Sequence, residues 1–325
     1  MKVDTHCHLS SEGLANAISK YTPYKLYVNH TNHTMGTAQG VDMVLLNEDE
    51  RIADMDGWGI DANVVSVGTY TLFTEEQLAP KKMRLMLSQV INDYLASICQ
   101  KYSKRLMAFA DISLPLGDDA LKEMDRALNE LHLNGIGLTT SFNGKYLDVP
   151  EFRAFFEEAN RIKAVIFVHP FVSPYSQGLM EMDMYRVVGF PAETSTTFCR
   201  MAYSGFIEKY PDITFILSHV GGAIPFLWPR INTTYESYSG GKGSLAHLPT
   251  DYLKKYYYDT GLSDTESLML AYKRIGDHLM LGTDYPFSKT HVPRTLSTIE
   301  AMEVPDTVKN KIFGENALSI LKNIP

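Results

Sequence analysis

Eight short apolar, β-branched runs recur along the chain with longer amphipathic stretches between them, and that alternation leaves few folds open. The runs are residues 2–6, Asn63–Val67, Leu106–Ala110, Gly135–Leu138, Val165–Val168, Ile213–Leu217, Tyr256–Asp259 and Leu279–Gly282. Strands alternating with helices build parallel βα units, and eight such units close into a (β/α)8 TIM barrel. Several runs are almost continuously apolar, as strands covered on both faces are. Helices are expected over 75–103, carrying Leu85, Val90, Leu95 and Ile98, and over 118–133, which opens on Asp118-Asp119. Further helices are expected over 151–161 and from Pro305 onward, where Val308, Ile312, Ala317 and Leu321 share a face. A chain of 325 residues, 45% of them hydrophobic, can fill the core that a barrel needs. Without a repeat, low-complexity tract or linker, residues 1–325 read as a single domain.

Two stretches exceed what the barrel requires. Residues 9–50 separate the first strand from its helix, and residues 170–195 follow the fifth strand. Both follow C-terminal strand ends, where barrel enzymes carry their substrate loops.

The formal net charge of -8 provides no basic field for nucleic acid. No apolar run reaches membrane-spanning length, and the N-terminus lacks a signal-peptide layout. Cys7, Cys99 and Cys199 are scattered and odd in number, as reduced thiols of a cytoplasmic protein are.

The strand ends carry the chemistry. Alternate side chains of a strand share a face, so His6 and His8 of Val3-Asp4-Thr5-His6-Cys7-His8 point one way, while Thr5 and Cys7 point the other. The fifth run ends in His169-Pro170, the sixth in Ser218-His219-Val220-Gly221-Gly222 and the eighth in Gly282-Thr283-Asp284-Tyr285-Pro286. In a closed barrel these ends meet at one mouth. Imidazoles and a carboxylate gathered there suit a divalent ion with open positions for water and substrate. Taken singly, His169 reads as a packing histidine, His219 as a hydrogen-bonded one and Asp284 as a loop cap; their shared place on the rim favours the metal. His30 and His33 read as an exposed polar loop, Glu193 as a first-turn helix carboxylate, and Cys7 as buried and inert.

Asp4-x-His6-x-His8, His169-Pro170, Ser218-His219-x-Gly221-Gly222 and Gly282-Thr283-Asp284-Tyr285-Pro286-Phe287 together resemble the amidohydrolase superfamily. Arg51–Asp56, Gly189–Thr194 and Pro225–Ile231 resemble its aminocarboxymuconate-semialdehyde decarboxylase branch. The resemblance implies a barrel with one divalent ion, zinc or alternatively manganese, held by His6, His8, His169 and Asp284. It implies acid/base or charge-stabilising work for His219, a proton shuttle for Asp284, and a homodimer in which Arg230 reaches the neighbouring subunit's substrate. Binuclear members bring a lysine from the fourth strand, and Gly135–Ser141 offers none. The branch also has a substrate-binding arginine shortly before the stretch matching Arg51, whereas Gly40–Leu46 has no basic residue. Either Arg51 or Lys25 then substitutes, or the substrate carries one carboxylate fewer. The expected activity is non-oxidative decarboxylation of a small aromatic or unsaturated, muconate-semialdehyde-type carboxylic acid. The same site would also serve a hydrolase of a lactone, amide or carbon–carbon bond, or a hydratase; a metal-dependent binding protein would not need the polar rim.

Overall fold

The computed structural model describes residues 1–324 except 38–42, 69–72, 74–77, 79, 173–177, 239–244 and 288. Eight strands pair in parallel, in chain order: β1 Val3–His8, β2 Ala62–Ser66, β3 Leu106–Asp111, β4 Gly135–Thr139, β5 Val165–His169, β6 Thr214–Leu217, β7 Tyr257–Asp259 and β8 Leu279–Met280. Backbone bonds from Thr5 N to Leu281 O (2.9 Å), Asp284 N to His6 O (2.8 Å) and His8 N to Tyr285 O (2.6 Å) join the eighth strand's end to the first. The sheet is thereby a barrel, as the eight runs predict.

Side-chain parity divides the core in two. Val3, Ala62, Val64, Phe109, Phe167, Ile216 and Met280 fill the barrel interior, closed below by Ala317 and Leu321 of the C-terminal helical segment. Cys7, Val65, Ala108, Ile166, Leu217 and Leu279 face outward against the helices. Val3 inside and Cys7 outside break strict alternation within one strand. The β1–β2 register shifts between Asp4 and Cys7, so an extra residue is accommodated there. Such a bulge re-aims the side chains beyond it, and it turns His6 and His8 inward.

The helices that matter here are α1 Glu12–Tyr21, α2 Glu48–Trp58, α3 Lys81–Lys101, α4 Phe190–Tyr203 and α5 Ile224–Tyr238. α2 starts on a capping box, Asn47 with Glu50, and ends on Gly59 in the left-handed region (φ 66°). α3 covers Lys81–Lys101 of the stretch expected at 75–103, whose residues 75–77 and 79 lie outside the described residues. The first insertion holds α1 and a three-stranded antiparallel sheet, Tyr27–Asn29, Thr34–Gly36 and Met43–Val44. Gly40–Asp42 of its basic-free stretch lie outside the described residues. Among the described residues, no helix is long and apolar enough to cross a membrane.

One substrate-cation alternative is corrected. Arg51 is fully buried behind β1: its Nη2 donates to the His8 carbonyl, its Nη1 to Asn63 Oδ1 (3.1 Å), and its guanidinium lies 4.7 Å from the Tyr285 ring centre. A guanidinium buried among these partners braces β1, β2 and the segment after β8 rather than facing the mouth of the barrel. Lys25 donates to the Ser19 carbonyl in an exposed bond next to α1.

Candidate metal centre

Five side chains converge where β1, β5, β6 and β8 end. The His6 ring lies 5.2 Å from His8, 4.9 Å from His169 and 4.8 Å from His219, centre to centre. His8 and His169 are 4.5 Å apart. Asp284 stands among them, with Oδ1 3.3 Å from His6 Nε2 and 3.1 Å from His8 Nε2, and Oδ2 3.6 Å from His219 Nε2. Donor atoms of His6, His169, His219 and Asp284 all lie within 4.8 Å of one another. His8 falls outside that tightest group of four, although it touches Asp284 directly. All five residues expected at the rim are thus together, with His219 as near the centre as His8.

The donors fit a cation. Nε2 of His6 and Nε2 of His169 are buried and complete no hydrogen bond. Asp284 faces the His6 nitrogen at 3.3 Å, but His169 Nε2 has no such partner, and leaving it unpaired costs about 1–3 kcal/mol, a cost that an ion held between them removes. Electrostatics favours the same occupant. Burial pulls His6 down, but Asp259 and Asp284 outweigh it and raise His6 to about 10. Burial lowers His8, and burial with the neighbouring imidazoles holds His169 well below its ordinary value. Burial works to raise Asp284, yet contacts with His219, His6 and His8 hold it well below the usual carboxylate range. The centre therefore offers neutral imidazole at His8 and His169 and an ionised carboxylate at Asp284, forms that bind metal, while His6 must give up a proton to join them.

Asp259, at the end of β7, is the participant that the sequence reading passed over. Its Oδ2 lies 2.6 Å from His6 Nδ1, and its Oδ1 accepts from His219 N (2.9 Å) and Gly261 N (2.8 Å). A carboxylate at Nδ1 fixes the imidazole with Nε2 toward the centre. Ser66 Oγ, 3.2 Å from His8 Nδ1, does the same for His8. The available signal was the run Tyr256–Asp259, which ends in a carboxylate on the same rim as Asp284.

The two turns that carry Asp284 and His219 are strained. Asp284 has φ 59°, and His219, Val220, Gly221 and Gly222 follow one another at φ 53°, 57°, 70° and 66°. A left-handed β-branched residue such as Val220 is disfavoured, and the two glycines make the turn possible. A Cβ on Gly221 would lie 2.5 Å from the Tyr258 ring, and one on Gly222 would lie 2.2 Å from Pro191 O. The turn thus drops His219 beside His6 while α4 presses against its back.

A cavity of about 600 Å³ opens on the centre, lined by His219, Asp284, Phe190, Phe287, Leu262 and Arg186. Phe287 stands 5.4 Å from the His8 ring, and Phe190 lies nearly parallel to His219 at 6.5 Å. His291, which has no motif context, also lines the cavity. Other expectations hold: Cys7 is buried, with its thiol raised well above its ordinary value by burial. His30 is exposed near Glu12 (3.8 Å), and Glu193 sits in the first turn of α4 within reach of Thr140 Oγ1 (3.4 Å). Arg230 is exposed on α5 and is not among the cavity-lining residues of its own chain; Phe226, one turn earlier, is.

A closed parallel barrel with imidazoles and a carboxylate at its C-terminal mouth defines a class, the barrels built around a catalytic metal ion. The chain belongs to the amidohydrolase family, whose model, described as Amidohydrolase, matches residues 3–322. It is 28% identical over 334 residues to 2-amino-3-carboxymuconate-6-semialdehyde decarboxylase of Dictyostelium discoideum, covering 99% of this chain and 91% of the relative. It is 25% identical over 298 residues to a gamma-resorcylate decarboxylase of Rhizobium sp., covering 85% of this chain and 87% of the relative. Among solved structures it is similar to a dihydroxybenzoic acid decarboxylase of Polaromonas sp. with bound manganese and the inhibitor 2-nitroresorcinol. There the TM-score is 0.79 at 21% identity, covering 98% of this chain and 96% of that one.

Proposed function

We propose that this protein is a metal-dependent carboxy-lyase that removes CO₂, without oxidation, from a small aromatic or unsaturated carboxylic acid. The observation that carries this reading is the cluster of His6, His8, His169, His219 and Asp284 opening on an aromatic-walled cavity. Its setting, a chain alignable over 99% of its length with a decarboxylase, supports the same reaction. His6, His8, His169 and Asp284 would hold one divalent ion, and β4 with the following Thr140 and Ser141 offers no lysine for a second. Zinc is proposed as the ion, with manganese, which the Polaromonas structure holds, as the alternative. When bound, the ion supplies fixed positive charge that orients substrate oxygens and lowers the pKa of water.

The protein's own part is proton delivery and orientation. When the carbon–carboxylate bond breaks, CO₂ leaves and the electron pair stays on carbon, delocalised into the conjugated substrate. That carbon then takes a proton. Asp284 Oδ2 and His219 Nε2, 3.6 Å apart at the cavity floor, are placed to hold and pass it. Phe190 and Phe287 give a flat substrate ring two aromatic surfaces and limit water.

Arg230 belongs to the same reading. It is exposed one turn beyond Phe226, and Phe226, Val187 and Leu262 leave large apolar surface at the cavity's edge (77%, 64% and 57% exposed). In a homodimer a second copy would cover that edge and bring its own Arg230 to the substrate carboxylate. We place the protein in the cytoplasm because its three cysteines are free thiols.

The test is CO₂ release from a panel of hydroxybenzoic and muconate-type acids by zinc- or manganese-loaded protein. Release of CO₂ in step with loss of acid is expected; turnover without CO₂ would assign hydrolysis or hydration.

A further inference from the structure

We infer that Arg186, contributed by the loop after β5 of the same chain, is the anchor for a second acidic group on the substrate, at the end away from the metal cluster. The inference rests on the carboxylic-acid reading above and deepens it. Of the basic residues that could have filled this role after β1, Arg51 is buried against the His8 carbonyl and Asn63, and Lys25 is not among the residues that line the cavity. Arg186 is the one Arg or Lys among the described residues that line the cavity shared with His219 and Asp284.

Its side chain is set in place rather than free. Nε donates to Tyr185 Oη at 2.8 Å, and the guanidinium lies 5.1 Å from the Tyr185 ring centre and 6.0 Å from that of Phe287. Phe287 in turn packs 5.4 Å from the His8 ring. Phe287 thus neighbours both the guanidinium and the metal cluster, and a flat acid lying along its ring with one end at the cluster would turn the other toward Arg186. The nearest competing carboxylate, Asp183, is 3.9 Å from Nε and 74% exposed, so solvent screens the pair. Among the described residues, the two terminal amino groups meet no acceptor. They remain for a ligand, and a planar guanidinium takes a carboxylate through two parallel hydrogen bonds. The preferred substrate would therefore be a diacid rather than a monoacid.

Binding of benzoate and of isophthalate, its 1,3-dicarboxylate relative, to zinc-loaded protein by titration calorimetry tests this without needing turnover. The wild-type chain should bind isophthalate at least about tenfold more tightly than benzoate, the effect of one charge-assisted contact. Arg186→Gln should reduce that ratio to about one with benzoate affinity and zinc content held, and Arg186→Lys should restore part of it. No preference in the wild-type chain, no measurable isophthalate binding at millimolar concentration, a preference that persists in Arg186→Gln, or equal weakening of both ligands would each overturn the assignment. Failure of the CO₂ assay with an intact, Arg186-dependent preference would instead reject the lyase reading and leave the anion anchor standing.

Discussion

At the scale of single residues, His6 is the hinge of the site because it is pulled by two carboxylates at once. Asp259 faces Nδ1 and Asp284 faces Nε2, and together they outweigh burial and lift His6 to about 10. Below that value the metal-free imidazole is charged, so at pH 7 it carries protons on both nitrogens. A cation taking Nε2 must displace one of them. Metal binding at pH 7 should therefore release about one proton per ion and weaken as pH falls. Calorimetry in buffers of different ionisation heat measures this; binding without proton release would show that His6 is already neutral in the metal-free protein, against the lift that Asp259 and Asp284 give it. Asp259 acts through His6, so Asp259→Asn should weaken metal affinity about ten- to a hundredfold while the fold is kept. Competition with a chelator gives the affinity, circular dichroism the fold, and an unchanged affinity would leave Asp259 merely structural.

At the scale of elements, the strand ends were readable because the functional side chains of this fold sit where parallel strands stop. His6, His8, His169, His219 and Asp284 stand together at such ends, and their convergence follows from closure of the barrel. What stayed hidden depends on geometry that no residue pattern encodes. The bulge between Asp4 and Cys7, which turns the two histidines inward, changes parity without any Gly or Pro to announce it. Arg51 looked available as a cation because its depth behind β1 is set by packing against Tyr285. Arg186 lay in the helical turn Tyr185–Gly189, just ahead of the Gly189–Thr194 stretch, with no chemical pattern of its own to single it out. The turn after β6 is the element where sequence and strain agree, since Gly221-Gly222 is written for close approach. Gly222→Ala, with its Cβ 2.2 Å from Pro191 O and φ at 66°, should cost at least about 1–3 kcal/mol in urea unfolding. It should also cut activity by displacing His219. A variant as stable as the wild-type chain would show that α4 yields easily.

At the scale of the whole molecule, the barrel supplies a rigid rim, while the insertions and α5 decide what reaches it. The exposed Phe226, Val187 and Leu262 around the cavity suit burial against a second copy, and Arg230 on α5 lies within one turn of that edge. If Arg230 works in the partner's site, mixing an Arg230→Ala chain with a His219→Ala chain should restore up to half the activity per mixed dimer. One site would then carry both defects and the other neither. No recovery in verified mixed dimers would confine each site to its own chain and leave the metal centre untouched. The central claim, that the ion at the mouth drives loss of CO₂, is tested most directly with carboxyl-labelled acids. The account predicts labelled CO₂ from zinc- or manganese-loaded protein, its loss after chelation and its return when the ion is restored. Labelled CO₂ that persists after complete chelation, or turnover that retains the label in the product, would contradict it.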